Sequence, residues 1–154
     1  MGKASTKSPE GAAAAIAKEC LAMRVRYLNR SLTAVYDDAF RPLGITASQV
    51  NMLVAIVNRG TLSPSELGNL LNIEKSTLSR NLERIRKAGW IKITTPSSGR
   101  TNTVHPTDRG KKLLLEVLPR WREAQRAAAG LLGDEGSETL REIGDHARGE
   151  LTKR

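Results

Sequence analysis

Between Lys75 and Lys87 the chain places Leu78, Leu82 and Ile85 at i, i+4 and i+7, and off that stripe Lys75, Ser76, Ser79, Arg80 and Arg84. At helical spacing the three apolar residues share one face and leave the basic and hydroxyl side chains on the other. The chemistry available there is recognition of a polyanion. A guanidinium fork donates two parallel hydrogen bonds to a guanine edge, and a hydroxyl reaches either a base or a phosphate. From Lys75 to Arg100 seven basic side chains stand against Glu83 alone, net +6 over 26 residues. Ser63 and Ser65 sit at the start of the preceding helix, where free N–H groups and the dipole favour a phosphate. Arg100, beside the tip of a turn-rich stretch, is placed to enter an adjacent minor groove.

Other reactive side chains are sparse. Cys20 is the only thiol. It is flanked by Lys18 and Arg24, and neighbouring positive charge favours thiolate chemistry with peroxide or electrophiles. It also shares a stripe with Ile16, Met23 and Tyr27, so the alternative is a buried core cysteine. His105 and His146 read as structural or solvated, and Asp37-Asp38 as an exposed acidic pair. No Ser/His/Asp spacing, P-loop or dinucleotide turn appears. Catalysis, a metal and a cofactor are therefore not expected.

The elements that must position these residues fit a chain of 154 residues, the size of one domain or one intertwined unit. The net charge is +9 with 3% aromatic residues, which points to a polyanion partner other than an unstacked single strand. The charge is unevenly shared, +4 over residues 1–60, +4 over 61–106 and +1 over 107–154. No apolar run approaches a membrane span, and Ala12–Ala17 is a poor secretory signal. A cytoplasmic protein with no membrane contact is expected.

Ser8-Pro9-Glu10 opens a helix whose stripe of Ile16, Cys20, Met23, Tyr27, Leu28, Leu32, Val35 and Ala39 runs unbroken to Phe40. Thr46–Gln49 is a capping box for a second helix with Val50, Leu53, Val54 and Val57 inward, closed by Gly60. Ser63-Pro64-Ser65-Glu66 repeats the box for a short third helix carrying Leu67, Leu70 and Leu71. The fourth helix, Lys75 to Ala88, ends at Gly89. Trp90–Ile93 and Thr101–His105 read as a β-hairpin. Thr107 and Asp108 cap a long apolar-faced helix kinked by Pro119, Gly133–Gly136 interrupts it, and Ser137–Leu151 forms the last helix. The fold class is mainly α with a small β-hairpin wing, a winged helix-turn-helix lobe plus a helical dimerisation region. The expected divisions are a disordered tail 1–9, an N-terminal dimerisation helix 10–42, a DNA-binding lobe 43–106 and C-terminal dimerisation helices 107–154.

In Leu43–Thr46 with Gln49, Leu67–Leu71, Ser76–Arg80 with Leu82, Gly89-Trp90-Ile91, the wing, and Thr107 with Gly110, the sequence resembles the MarR-type transcriptional regulators. The resemblance covers nearly the whole chain, from about Ala14 to Arg148. It implies a homodimer on pseudo-palindromic double-stranded DNA, a repressor released by a small-molecule effector or by thiol oxidation. Ser76, Thr77, Ser79, Arg80 and Arg84 then fall at DNA-facing positions and Arg100 at the wing arginine. Ser98 stands where such wings carry an aspartate two residues before that arginine. Cys20 lies about two residues from the helix position at which some of these regulators sense peroxide. Tyr36 falls beside the cleft in which others bind aromatic acids. The competing reading is a basic RNA- or ribosome-associated module that uses the same lobe as a shape reader.

Overall fold

The structure, a computed structural model, describes residues 8–95 and 101–151. The chain divides between Ala34 and Val35 into two compact units. The first begins with helix α1 (Pro9–Glu19), capped as its sequence dictates: the Ser8 side chain accepts from the Gly11 N–H at 3.0 Å. The expected unbroken helix to Phe40 is interrupted. Cys20 takes an extended conformation (φ −67°, ψ 108°) while its N–H still closes α1 on the Ile16 carbonyl, and helix α2 (Leu21–Phe40) starts at the next residue. The break needs neither proline nor glycine because Arg24 folds back. Its guanidinium donates to the Lys18 carbonyl, freed at the end of α1, and to the Cys20 carbonyl, which also accepts the Arg24 N–H at 3.4 Å as the first backbone bond of α2. Of the expected stripe, Ile16 and Tyr27 are 62% and 61% exposed whereas Cys20, Met23, Leu28 and Leu32 are half-buried, and Leu21 and Val25, off the stripe, are also exposed.

In the second unit α2 ends at the buried Phe40 and a 3-10 turn (Arg41–Leu43) leads to helix α3 (Ala47–Arg59). The Thr46–Gln49 capping box is complete, and the Asp37 carboxylate accepts the Ala47 N–H at 2.7 Å. Val50, Met52, Leu53, Ala55 and Ile56 of α3 are buried, whereas Val54, expected inward, is 39% exposed. The physical reason is that α3 packs against three later elements together, strand β2 (Thr103–Pro106) and helices α4 (Pro64–Leu71) and α6 (Asp108–Leu151). At 100° per residue its buried arc runs about 220° from Ala55 round to Val50, and Val54 falls just outside it.

Helix α4 (Pro64–Leu71) buries Leu67 but leaves Leu70 exposed. It ends at Asn72, whose left-handed backbone (φ 48°) makes the turn into helix α5 (Lys75–Lys87). Leu78, Leu82 and Ile85 of α5 are buried, as the spacing predicts. Each such side chain contributes about 1.5–3 kcal/mol when fully buried, enough to seat an otherwise polar helix. Gly89 (φ 75°) turns the chain into strand β1 (Ile91–Thr94), antiparallel to β2 (Thr103–Pro106) with Ile91 opposite Pro106 and Thr94 opposite Thr103. Leu62 pairs with Val104 on the other edge of β2, tying the hairpin to the loop before α4.

Helix α6 (Asp108–Leu151) follows. It continues through Pro119, and its non-helical residue is Gly133 (φ 70°, ψ 169°), inside the interruption expected from Gly133 to Gly136. Leu113, Val117, Ala124 and Ala128 are buried, whereas Leu118, Trp121 and Leu131 of the expected apolar face are exposed, as is Leu115. One core, from Phe40 through α3, α4, α5 and the hairpin to Val117, underlies the unit. No single helix among the described residues is long and apolar enough to cross a membrane; one bent pair, Leu21–Leu43 with Ala47–Arg59, passes by length and composition, and its second half supplies buried core.

Candidate nucleic-acid interface

Two short helices joined by a tight turn carry the interface. The turn closes with the Ile73 N–H donating to the Gly68 carbonyl at 2.9 Å, and Gly68 lets α5 approach: a Cβ there would lie 3.1 Å from Leu78 Cδ2. On the opposite side of α5 Lys75, Ser76, Ser79, Arg80 and Arg84 are all exposed, and Thr77 is half-buried. Arg80 lies along the helix with Nε donating to the Ser76 carbonyl at 3.1 Å, which leaves its two terminal nitrogens for a ligand. Unlike α3 and α4, α5 has no side-chain cap at its N-cap residue Glu74. No side chain at the N-cap therefore takes up the first N–H groups of α5, beside Lys75 and Ser76.

Charge along α5 is partly compensated. Glu83 accepts two hydrogen bonds from the Arg86 guanidinium at 2.8 Å and lies 3.7 Å from Lys87. The Arg86 contact holds the Glu83 carboxyl below its ordinary range and Arg86 above its own. Lys75, Arg80 and Arg84 form no ion pair with any described residue. The uncompensated cations are thus the ones the spacing selects.

At the start of α4, Ser63 and Ser65 separate in role. The Ser63 hydroxyl accepts the Glu66 N–H at 3.2 Å and donates to Glu66 Oε2 at 2.7 Å, while the Ser63 N–H donates to the same oxygen at 2.7 Å. These bonds, the backbone one first, hold the Glu66 carboxyl below its ordinary range. Ser63 is consumed by its capping box; Ser65 is exposed and free of it. A cleft of about 510 Å³ opens between α4, α5 and the hairpin, with Ser65, Asn69, Lys75 and Asn102 among its polar lining. Arg100 and Ser98 lie outside the described residues.

Several positioning groups carry no local sequence signal. His105 is held at both ring nitrogens, Nδ1 by the Thr61 hydroxyl and Nε2 by the Thr103 hydroxyl, each at 3.0 Å. It fixes the hairpin to the loop before α4, a structural role as expected. Asp37 is an N-terminal partner for α3, a function invisible at a separation of ten residues. Tyr36 is half-buried, its ring 6.2 Å from that of Phe40, and its hydroxyl donates to Gln125 Oε1 at 2.6 Å; burial raises its pKa. Cys20 is half-buried at the helix break and belongs to the first unit. Among the described residues no group of three or more His, Cys, Asp or Glu is arranged to hold a metal ion.

Two short helices joined by a tight turn, an exposed basic face on the second and an antiparallel hairpin following it define a winged helix-turn-helix lobe. A sequence profile of the MarR family matches residues 43–101, from the turn before α3 to the hairpin. The chain is 30% identical over 111 residues to the HTH-type transcriptional regulator PecS of Dickeya dadantii (strain 3937), covering 70% of this chain and 67% of PecS. In three dimensions it resembles a probable transcriptional regulator from Pseudomonas aeruginosa, with a TM-score of 0.74 and 26% identity over 84% of this chain and 98% of that one. It also resembles the M. tuberculosis transcriptional regulator MosR in complex with DNA, with a TM-score of 0.73 and 29% identity over 88% and 99%. The chain belongs to the MarR family.

Proposed function

We propose that the chain is a homodimeric transcriptional regulator, acting in the cytoplasm, that represses by placing α5 of each protomer in the major groove of a pseudo-palindromic operator. The observation that carries the reading is the α5 face itself. Lys75, Ser76, Ser79, Arg80 and Arg84 are exposed on a helix seated by Leu78, Leu82 and Ile85, with its N-terminus uncapped. A helix presented this way reads base edges with its N-terminal residues. Support for the dimer comes from the apolar side chains that one chain leaves open, among them Leu21, Val25, Leu115 and Leu131. Apolar surface that no element of its own chain covers marks an interface, and two-fold symmetry matches a two-fold operator. DNA-bound MosR lends the duplex its priority over RNA as the partner.

The test is a footprint on duplex fragments selected from a random library. The expected result is two half-sites about one helical turn, or a multiple of it, apart. Arg80→Ala relaxes preference at one base of each half-site, at a cost of about 1–3 kcal/mol. Displacement of the duplex by excess structured RNA, or protection without regard to sequence, refutes the reading.

A further inference from the structure

We infer that Thr107 and Gly110 are positioning residues: with the Gly89–Trp90 backbone they form a stiff joint through which α6 fixes where α5 lies, and hence whether both lobes of a dimer meet their half-sites together. The inference rests on the homodimer reading above. At the end of α5 the Gly89 N–H donates to the Arg86 carbonyl at 2.9 Å and the Trp90 N–H to the Ile85 carbonyl at 3.0 Å. From the other side the Thr107 hydroxyl donates to the Gly89 carbonyl at 2.7 Å, and the Thr107 N–H to the Trp90 carbonyl at 3.1 Å. The Gly110 N–H donates to that same Thr107 oxygen at 3.1 Å. One hydroxyl thus caps the start of α6 and binds a carbonyl of the turn that ends α5.

Gly110 is buried within this contact. A Cβ there would lie 2.1 Å from the Trp90 carbonyl oxygen, 3.0 Å from its carbon and 3.2 Å from Leu53 Cδ1. The first two obstacles are backbone and cannot rotate away, so any side chain at 110 drives the two helix ends apart by about 1 Å, a strain that close-packed interiors transmit. Trp90 and Thr107 extend the hairpin register by one pair beyond Ile91 and Pro106, so the joint lies at the base of the wing, where the turn after α5 meets the start of α6. A displacement of α6 therefore reaches the end of α5 through the base of the wing and not through its tip.

In a two-lobed dimer the second half-site is engaged intramolecularly. That gain, about 10²–10⁴ over one half-site, is lost when geometry forbids simultaneous contact. Disturbing the joint removes the gain and leaves the contacts of α5 with one half-site intact.

The experiment uses the full chain with a duplex selected by the wild-type protein and the same duplex with one half scrambled. Binding is read by fluorescence anisotropy, with sedimentation and circular dichroism as checks of assembly and fold. Wild type is expected to prefer the intact duplex by about a hundredfold. Gly110→Ala stays dimeric, binds the half-scrambled duplex within about twofold of wild type, and loses at least about tenfold of the preference. Thr107→Val behaves likewise, and Thr107→Ser, which keeps the hydroxyl, retains the preference. The inference is overturned if folded Gly110→Ala and Thr107→Val keep the preference, or weaken both duplexes equally, or if Thr107→Ser loses it. Loss of fold in both Gly110→Ala and Thr107→Val reduces the joint to a structural role and also overturns it. A wild-type chain that does not distinguish the two duplexes overturns the dimer reading, and the joint with it.

Discussion

Arg84→Gln separates phosphate contacts from base contacts on α5. Arg80 lies five residues beyond Lys75 and Arg84 nine, so at 1.5 Å per residue they stand about 7 and 13 Å further along the axis. Bases are read from the N-terminal half of such a helix, which assigns Arg80 to a base edge and Arg84 to the flanking backbone. Lys75, Arg80 and Arg84 are the α5 cations without an ion-pair partner among the described residues. With Arg80 on a base edge, a dimer brings four phosphate-facing α5 cations to the duplex, two Lys75 and two Arg84, for a contribution of about −3.6 to the slope of log K against log salt. Raising salt fourfold, from about 50 to 200 mM, then weakens wild-type binding roughly 150-fold through these four. Arg84→Gln removes two of them, giving a contribution of about −1.8 and a loss of roughly 12-fold over the same range. Anisotropy titrations of the selected duplex and of point-substituted versions at four salt concentrations measure both quantities. The loss at fixed salt should be equal on every sequence. An unchanged slope, or a loss concentrated on one base substitution, refutes the assignment.

Two further outcomes test the scaffold. Tyr36→Phe deletes the hydroxyl that donates to Gln125 Oε1 and strands that acceptor in a half-buried place. It should cost about 0.5–1.5 kcal/mol in urea melts, or about 2–4 °C in Tm per kcal/mol, and an unchanged Tm refutes the bond. Glu66 has a folded-state pKa depressed below its ordinary 4.5 by Ser63, so its contribution to stability is present above 4.5 and is lost as pH falls through the lower folded value. Wild type should therefore exceed Glu66→Gln in urea midpoint near neutrality by a margin that shrinks through acid pH; a constant margin refutes the coupling.

Much of the lobe is legible because its signals are local. The Thr46 and Ser63 capping boxes, the Gly89 turn and the i, i+4, i+7 set of α5 each depend on residues within two turns of one another, and the structure contains all of them. The features that differ from expectation depend on distant partners. A single stripe places Val54 inward, but α3 is wrapped on three sides, so its buried arc is wide and centred elsewhere. The break at Cys20 carries no breaker residue; there Arg24, six residues beyond Lys18, donates to the Lys18 carbonyl that the end of α1 frees. The exposed face of α5 is legible from periodicity, and the box that holds Ser63 in its own cap is legible from Ser63 and Glu66 three residues apart. Thr107 and Gly110 appear in the sequence only as a family-like pair; their purpose needs the Trp90 carbonyl, which only the fold brings between them.

The placement of the two tryptophans, Trp90 and Trp121, gives this chain a pair of built-in optical probes. Trp90 is half-buried against the core at the end of α5, while Trp121 is 41% exposed on α6. An indole is apolar in body and polar at one edge, and its emission follows how wet its surroundings are. Loosening of the lobe wets Trp90 and leaves Trp121 as it was. Covering the α6 face by another copy dries Trp121 and leaves Trp90 as it was. With one indole replaced at a time, lobe integrity and subunit association become two colours of light from a single polypeptide.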